Sequence, residues 1–476
     1  MVAIDVSHTT RNRKRAGALG QAAVVPQSVT GRMRRIKWML LCLCLGVYYL
    51  TPFLRWDRGP GEPSQAVLLD FEHGRLFAFF IEIWPQEFYF LTGLLILASA
   101  LLILMNAAYG RIWCGFFCPQ TVWTDLFLLV ERWIEGDRRE RLTKHEAPLT
   151  LCRVAEIAAK HAAWMIISLA TGGSFIFYFM DAPTLLRELA HSEVSLLVWT
   201  WILVFAGTTY AMAGFAREQV CIFMCPWPRL QGAIWDPQAL SVNYRDYRGE
   251  MRTSVKKAAE IRARGEQAGD CIDCNKCVAV CPIGIDIREG PNFACINCGL
   301  CVDACDSVMA KINRPRGLID YETWLNIERG RAGAPMEKAR LLRPKTVGLS
   351  TFCLLLAGGM SLVFAMRSTG SLSVEHDRNP RFVILSDGAI RNAYNVKIVN
   401  HGGNPRAFSL DVEGIDGARL EILGAPADGK ISVLPDNSQT VRVTLTSTSD
   451  KNAHLRFLAK DESDRSYVAA ENFVAH

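Results

Sequence analysis

The stretch Cys271-Ile-Asp-Cys274-Asn-Lys-Cys277-Val-Ala-Val-Cys281-Pro282, followed by Cys295-Ile-Asn-Cys298-Gly-Leu-Cys301-Val-Asp-Ala-Cys305-Asp306, repeats one spacing, C-x2-C-x2-C-x3-C. A four-iron, four-sulfur cube needs four thiolates arriving from different directions. Two tight x2 loops supply three of them, and in a tandem repeat the fourth cysteine of each run crosses to the other cube. The spacing therefore predicts Cys271, Cys274, Cys277 and Cys305 around one 4Fe-4S cluster, and Cys295, Cys298, Cys301 and Cys281 around a second. Zinc ribbons also use C-x2-C, but three evenly spaced cysteines plus a fourth, repeated in tandem, argue against zinc.

This is the ligand pattern of a bacterial two-cluster ferredoxin-like α+β domain. One departure is Asp306, which stands where the first run has Pro282. Proline at that point aids the backbone and is not a ligand, so the change bears on geometry. Of the 476 residues, half are hydrophobic and 16 are cysteine. A disulfide scaffold belongs to small secreted chains, and no cysteine follows Cys353, so the thiols read as reduced and metal-bound. The net charge of +6 is small for this length. Its basic excess gathers near the N-terminus, which points to membrane orientation and excludes a nucleic-acid partner.

Composition divides the chain into a multi-domain membrane protein. Residues 1–35 carry Arg11, Arg13, Lys14, Arg15, Arg32, Arg34 and Arg35 without apolar periodicity, and read as a disordered basic cytoplasmic arm. Residues 36–216 read as a four-helix membrane region with apolar runs at 36–54, 88–108, 162–180 and 195–215, each near the twenty residues a bilayer requires. Residues 217–345 hold the double 4Fe-4S segment, core 265–312, and 346–366 form a fifth span, completing an α-helical transmembrane bundle of about five helices. Eight Lys and Arg lie in residues 1–37 and eight in 109–160, against three in 55–87 and one in 181–194. That bias puts the N-terminus and residues 217–345 in the cytoplasm of a bacterial inner membrane, and the C-terminal tail in the periplasm. Trp84, Trp113, Trp123, Trp199 and Trp201 fall near span ends, where an aromatic belt is expected.

The tail, 370–476, alternates apolar and polar residues in short runs (Asn395-Val-Lys-Ile-Val-Asn400, Phe408-Ser-Leu-Asp-Val412, Thr440-Val-Arg-Val-Thr-Leu445) between Gly, Pro and Asn turn formers. It predicts an all-β immunoglobulin-like sandwich.

A second cysteine pattern repeats after two of the spans: Arg111-Ile-Trp-Cys114-Gly-Phe-Phe-Cys118-Pro119 and Arg217-Glu-Gln-Val-Cys221-Ile-Phe-Met-Cys225-Pro226. On a helix, residues four apart share a face, so each pair could offer two sulfurs to one ion. Two such units would give four thiolates, with Met224 as a soft neighbour, a set that suits Cu(I). Cys114, Cys118, Cys221 and Cys225 are therefore candidate copper or redox thiols. Cys42, Cys44, Cys152 and Cys353 lack partner spacing and read as packing residues. His161 is the one histidine near an apolar segment, which argues against haem b.

The strings Leu54-Arg-Trp-Asp-Arg-Gly-Pro-Gly, Gln65-Ala-Val-Leu-Leu-Asp, Ile83-Trp-Pro-Gln-Glu-Phe-Tyr-Phe-Leu-Thr-Gly, Trp113-Cys-Gly-Phe-Phe-Cys-Pro-Gln-Thr-Val-Trp-Thr-Asp and Arg316-Gly-Leu-Ile-Asp-Tyr, together with the double cysteine run, resemble the CcoG (FixG, RdxA) family of cytochrome c oxidase accessory proteins. The resemblance runs from about residue 30 to the C-terminus. It implies a membrane polyferredoxin that assists assembly of a cbb-type oxidase by reducing Cu(II) to Cu(I), with oxidase subunits or their copper-assembly factors and a cytoplasmic electron donor as partners. A quinol-linked electron conduit and a non-enzymatic assembly scaffold are the alternative readings.

Overall fold

The computed structural model describes residues 24–58, 63–71, 74–83, 87–366, 370–377, 380–386, 388–400, 405–415, 417–423, 429–434, 437–448, 452–461 and 466–473. Residues 1–23 of the basic arm, Trp84, and the turn formers at 401–404 and 435–436 lie outside the described residues. The chain divides into two units, 1–358 and 359–476.

The helices of the first unit include α1 (Arg32–Leu50), α2 (Tyr89–Tyr109), α3 (Ile112–Phe116), α4 (Pro119–Glu135), α5 (Leu151–Ile176), α6 (Leu196–Thr209) and α7 (Trp227–Ala233). A three-stranded meander, β1 (Val67–Asp70), β2 (Arg75–Ala78) and β3 (Ile81–Ile83), joins α1 to α2. Among the described residues, four helical stretches are long and apolar enough to cross a membrane: Arg32–Phe53, Tyr89–Tyr109, Leu196–Ala233 and Pro344–Ala365. Their outward faces carry exposed Leu94, Leu95, Leu203, Leu354 and Leu355, the surface that lipid and not water would cover. The expected span 162–180 is not among them; its residues up to Ile176 fall in α5. That helix opens with Arg153, Glu156 and Lys160, of which Arg153 and Lys160 pair with Glu135 of α4 at 3.7 and 2.9 Å. Beyond Tyr210, α6 passes into wide π-type turns at Tyr210–Ala216 and Val220–Met224. Such turns shift the register of every side chain after them, and they carry the second C-x3-C-P motif.

The basic arm ends earlier than its composition suggests. Residues 24–31 are extended against the rest of the unit, with Gln27 N–H on Ala279 O at 2.8 Å and Ser28 Oγ on Asp137 Oδ2 at 2.6 Å. Helix α1 starts at Arg32, so Arg32, Arg34 and Arg35 are helical. The cause is a distant carboxylate: Asp303 accepts the N–H groups of Met33 and Arg34 at 3.2 and 2.8 Å, satisfying donors that every helix N-terminus leaves open. Nη1 of Arg34 then donates to both carboxylate oxygens of buried Asp125 in α4, at 3.0 and 2.9 Å, and Lys37 lies 3.5 Å from the same carboxylate.

The cysteine-run segment is framed by a two-stranded antiparallel sheet, β4 (Ser241–Tyr244) with β5 (Ile319–Glu322), and contains α8 (Lys276–Ala279) and α9 (Leu300–Lys311). Helix α10 (Pro344–Ala365) follows.

In the second unit, β6 (Gly370–His376), β7 (Val383–Ile384), β8 (Ile390–Asn400), β9 (Arg406–Glu413), β10 (Arg419–Leu423), β11 (Lys430–Val433), β12 (Asn437–Ser447), β13 (Ala453–Asp461) and β14 (Ser466–Phe473) form two antiparallel sheets. One has the order β10-β12-β8-β6 with β7 on β8, the other β11-β9-β13-β14. Alternate residues Tyr394, Val396 and Ile398 of β8 face Phe408, Leu455 and Phe457 of the opposing sheet in a core closed to solvent, as the period of two along a strand requires. This is the immunoglobulin-like sandwich.

Candidate iron–sulfur centre and adjoining thiols

The structure brings Cys271, Cys274, Cys277 and Cys305 around one cavity and Cys281, Cys295, Cys298 and Cys301 around its neighbour, with Cys277 touching both. These are the two crossed sets the spacing predicts. Each tight loop is bent by two left-handed residues at matching places: Asp273 and Asn275 in the first (φ 53° and 55°), Asn297 and Gly299 in the second (φ 53° and 70°). Asp, Asn and Gly are the residues that adopt this conformation most readily, and the bends turn three sulfurs of each run toward one point.

The proline difference also has a physical account. The chain leaves α8 at Ala279, ahead of Cys281-Pro282, and turns at Gly284 (φ 75°). Asp306 lets α9 run on to Lys311, and its carboxylate accepts the Gly317 N–H at 2.8 Å, tying the helix to the approach to β5.

The donor set fits 4Fe-4S clusters. The Cys281 thiol is pushed up to about 11, first by burial and then by Cys298, while backbone N–H groups of Ile283, Gly284 and Ile285 point at its sulfur. Burial lifts Cys295 and Cys305 to about 12. Four crowded sulfurs in an apolar cavity are poor anions alone, and a cationic iron core relieves that cost. Among the described residues no three His, Cys, Asp or Glu side chains close to the spacing of a single ion. Sulfurs around one zinc stand ~4 Å apart, and a four-iron core holds its thiolates wider.

Arg288 clamps the first loop. Its guanidinium donates to Asp273 Oδ1, Asn275 Oδ1 and Asp286 at 2.5–2.8 Å, with the side chain 5% exposed. Tyr321 of β5 supports the second loop by donating to Asn297 O at 2.6 Å.

The two C-x3-C-P motifs converge, though not as faces of continuous helices. Cys114 lies in α3, but Cys118 is extended (ψ 128°) and caps α4; Cys225 is likewise extended (ψ 124°) before Pro226. A following proline forbids the helical conformation to the residue before it, so each pair straddles a helix boundary. Cys114 and Cys221 pack on the same small core as Cys281, Cys298 and Cys301. Gly115 permits this closeness, because a Cβ there would stand 2.5 Å from Ile296 O and 3.1 Å from Cys298 N.

Met224, the expected soft neighbour, is 59% exposed. Cys42 and Cys152 are exposed, Cys44 half-buried and Cys353 buried. His161 Nδ1 lies 2.8 Å from Tyr210 OH. Trp123 departs from the expected belt: its Nε1 donates inward to Thr171 Oγ1 at 2.9 Å, because a buried indole seeks a partner. Sequence reasoning passed over Arg111, Arg288, Asp303 and Tyr321. For Arg111 a signal existed, since an arginine stands shortly upstream of both C-x3-C-P motifs.

Membrane-length helices and two cysteine-lined cavities in a ferredoxin-like segment define a membrane iron–sulfur electron-transfer protein. Residues 216–324 match the family described as "4Fe-4S dicluster domain", 90–136 the "4Fe-4S binding domain", and 360–476 the "IG-like fold at C-terminal of FixG". The chain is 46% identical to "Nitrogen fixation protein FixG" of Rhizobium meliloti, over 89% of this chain and 86% of that one. It is 48% identical to "Protein RdxA" of Cereibacter sphaeroides, over 89% of each, and 45% identical to "Protein RdxB" of the same organism, over 88% of each. The chain belongs to the FixG/RdxA family.

Proposed function

We propose that this protein reduces Cu(II) to Cu(I) at Cys114, Cys118, Cys221 and Cys225 and so supplies copper for assembly of a cbb-type cytochrome c oxidase in the bacterial inner membrane. The observation that carries this reading is the packing of Cys114 and Cys221 on the side chains that surround Cys281, Cys298 and Cys301. 4Fe-4S clusters held by Cys271, Cys274, Cys277 and Cys305, and by Cys295, Cys298, Cys301 and Cys281, supply one-electron storage and transfer. A cytoplasmic donor loses one electron for each Cu(II) that gains one. Thiolates favour the reduced ion, so these thiols favour the product over the substrate; as placed, no three of them stand at the spacing of a single ion, and the quartet would draw in around it. Arg288 and Tyr321 keep the two loops in place, and Gly115 keeps α3 against the second. In this reading the N-terminus and residues 217–345 face the cytoplasm and the sandwich faces the periplasm, where oxidase subunits or copper-assembly factors are its partners.

The test is Cu(I) production by the purified, anaerobically reduced protein. The reading requires loss of production in Cys114→Ser/Cys221→Ser with iron retained, and in Cys271→Ser/Cys295→Ser; unchanged production in the latter sinks it.

A second reading, a third cluster on the same four thiols, is favoured by the match of 90–136 to a 4Fe-4S binding domain. Iron quantitation separates the two, with roughly twelve irons per chain for three four-iron clusters against roughly eight for two.

A further inference from the structure

Arg111 stands at the joint between the two groups of thiols. It follows Gly110, whose φ of 58° turns the chain out of α2, and a Cβ on that glycine would stand 2.6 Å from Asn297 Nδ2. The Arg111 side chain is buried, and its Nη2 donates to Pro228 O, three residues after Cys225, at 2.7 Å. Among the described residues it makes no ion pair with a carboxylate. A buried guanidinium without a carboxylate is costly, because the charge leaves water with nothing to offset it.

The groups around it are sulfurs: Arg111 and Cys295 line one cavity, and Gln231 of that cavity lies 4.0 Å from Cys114 Sγ. Burial lowers the pKa of Arg111, and against it act four thiols, Cys114, Cys295, Cys225 and Cys221. Three belong to the C-x3-C-P quartet and one to the second ferredoxin-like set. The first set's cavity is lined by Lys276 and Arg288, but Lys276 is only half-buried and Arg288 is already neutralised by Asp286 and Asp273.

We infer that Arg111 is a positioning residue whose fixed positive charge, shared between Cys295 and the C-x3-C-P thiols, raises the reduction potential of the cluster held by Cys295, Cys298, Cys301 and Cys281 above that of its neighbour. Adding an electron makes a cluster more negative, and an uncompensated cation beside one of its sulfurs stabilises the reduced form. An electron entering at the first set then comes to rest at the second, beside Cys114 and Cys221. The direction of flow rests on the function proposed above; the charge effect itself does not depend on copper.

The test is an EPR-monitored redox titration of the full-length, cluster-loaded protein, comparing wild type with Arg111→Gln and Arg111→Lys. In R111Q one cluster is expected to titrate at a more negative potential, its reduced fraction at the wild-type midpoint falling several-fold, while the other cluster holds its value. R111K, which keeps the charge and loses the fork, is expected to stay near wild type. Unchanged potentials in R111Q overturn the inference. A shift as large in R111K as in R111Q, or loss of iron from both variants, also overturns it, because Arg111 is then a structural strut. Failure of copper reduction in wild type leaves this result standing and tells against the proposed function alone.

Discussion

The Asp303 carboxylate, in helix α9 of the iron–sulfur segment, accepts the backbone N–H of Arg34 at 2.8 Å and caps the first membrane helix from 269 positions away. Gly31 allows the approach, since a Cβ there would stand 2.2 Å from Asp303 Cγ. Removing a helix cap costs ~1 kcal/mol, so Asp303→Ala should lower the thermal midpoint of the detergent-solubilised protein measurably, and Asp303→Asn, which keeps one acceptor, should lower it less. Equal losses in the two variants would show that charge alone holds this joint.

Gly115→Ala tests the closeness of α3 to the second cluster loop. Its new methyl would meet Ile296 O at 2.5 Å, a backbone atom that cannot rotate away. The expected result is retained iron with Cu(I) production at least several-fold slower. A variant as fast as wild type removes proximity from the argument.

Arg288 should matter to one cluster and not the other. Arg288→Gln leaves Asp273 and Asp286 without their cation and frees the loop that presents Cys271, Cys274 and Cys277. Iron per chain is expected to fall toward half, roughly from eight to four for two four-iron clusters, while the second set stays loaded. Proportional loss from both, read by EPR, contradicts a local clamp.

The same clamp carries a pH signature. Burial pushes the Asp286 carboxyl up, but the Arg288 side chain and backbone N–H outweigh it, and the net shift is downward. A depressed carboxyl contributes stability above its unfolded value, about 3.9, and loses that contribution as pH falls through the folded value. The difference in thermal midpoint between wild type and Asp286→Asn should therefore be widest above about pH 4 and close below it. A pH-independent difference would assign the effect to shape.

The sandwich can be weakened separately. Phe457 is closed to solvent beside Tyr394, at a ring separation of 5.0 Å. Phe457→Ala should cost ~3–5 kcal/mol and lower the melting of residues 370–476 by limited proteolysis, with Cu(I) production unchanged. Loss of reduction in a variant that keeps its iron would give the tail a part in the chemistry.

Much of this was readable in the chain because it is local. The crossed cysteine sets follow from spacing, and the strands around Tyr394 and Phe408 follow from alternation. Asp303 was opaque because the residue it caps lies 269 positions earlier in the sequence, and composition cannot name a partner at that distance. The C-x3-C-P pairs were half legible: the spacing of four suggested one helical face, and the proline that overrides it stood in plain view. Arg111 was visible as a residue but not as a charge without a carboxylate, which only packing reveals.

The gap that Gly115 leaves in the side-chain layer makes the redox segment and the membrane helices a single inherited piece. A ferredoxin borrowed from another protein would arrive without the aspartate that Arg34 needs and would meet α3 with the wrong surface. The sandwich of the second unit closes on a core of its own, so change within the family should accumulate there before it reaches the joint.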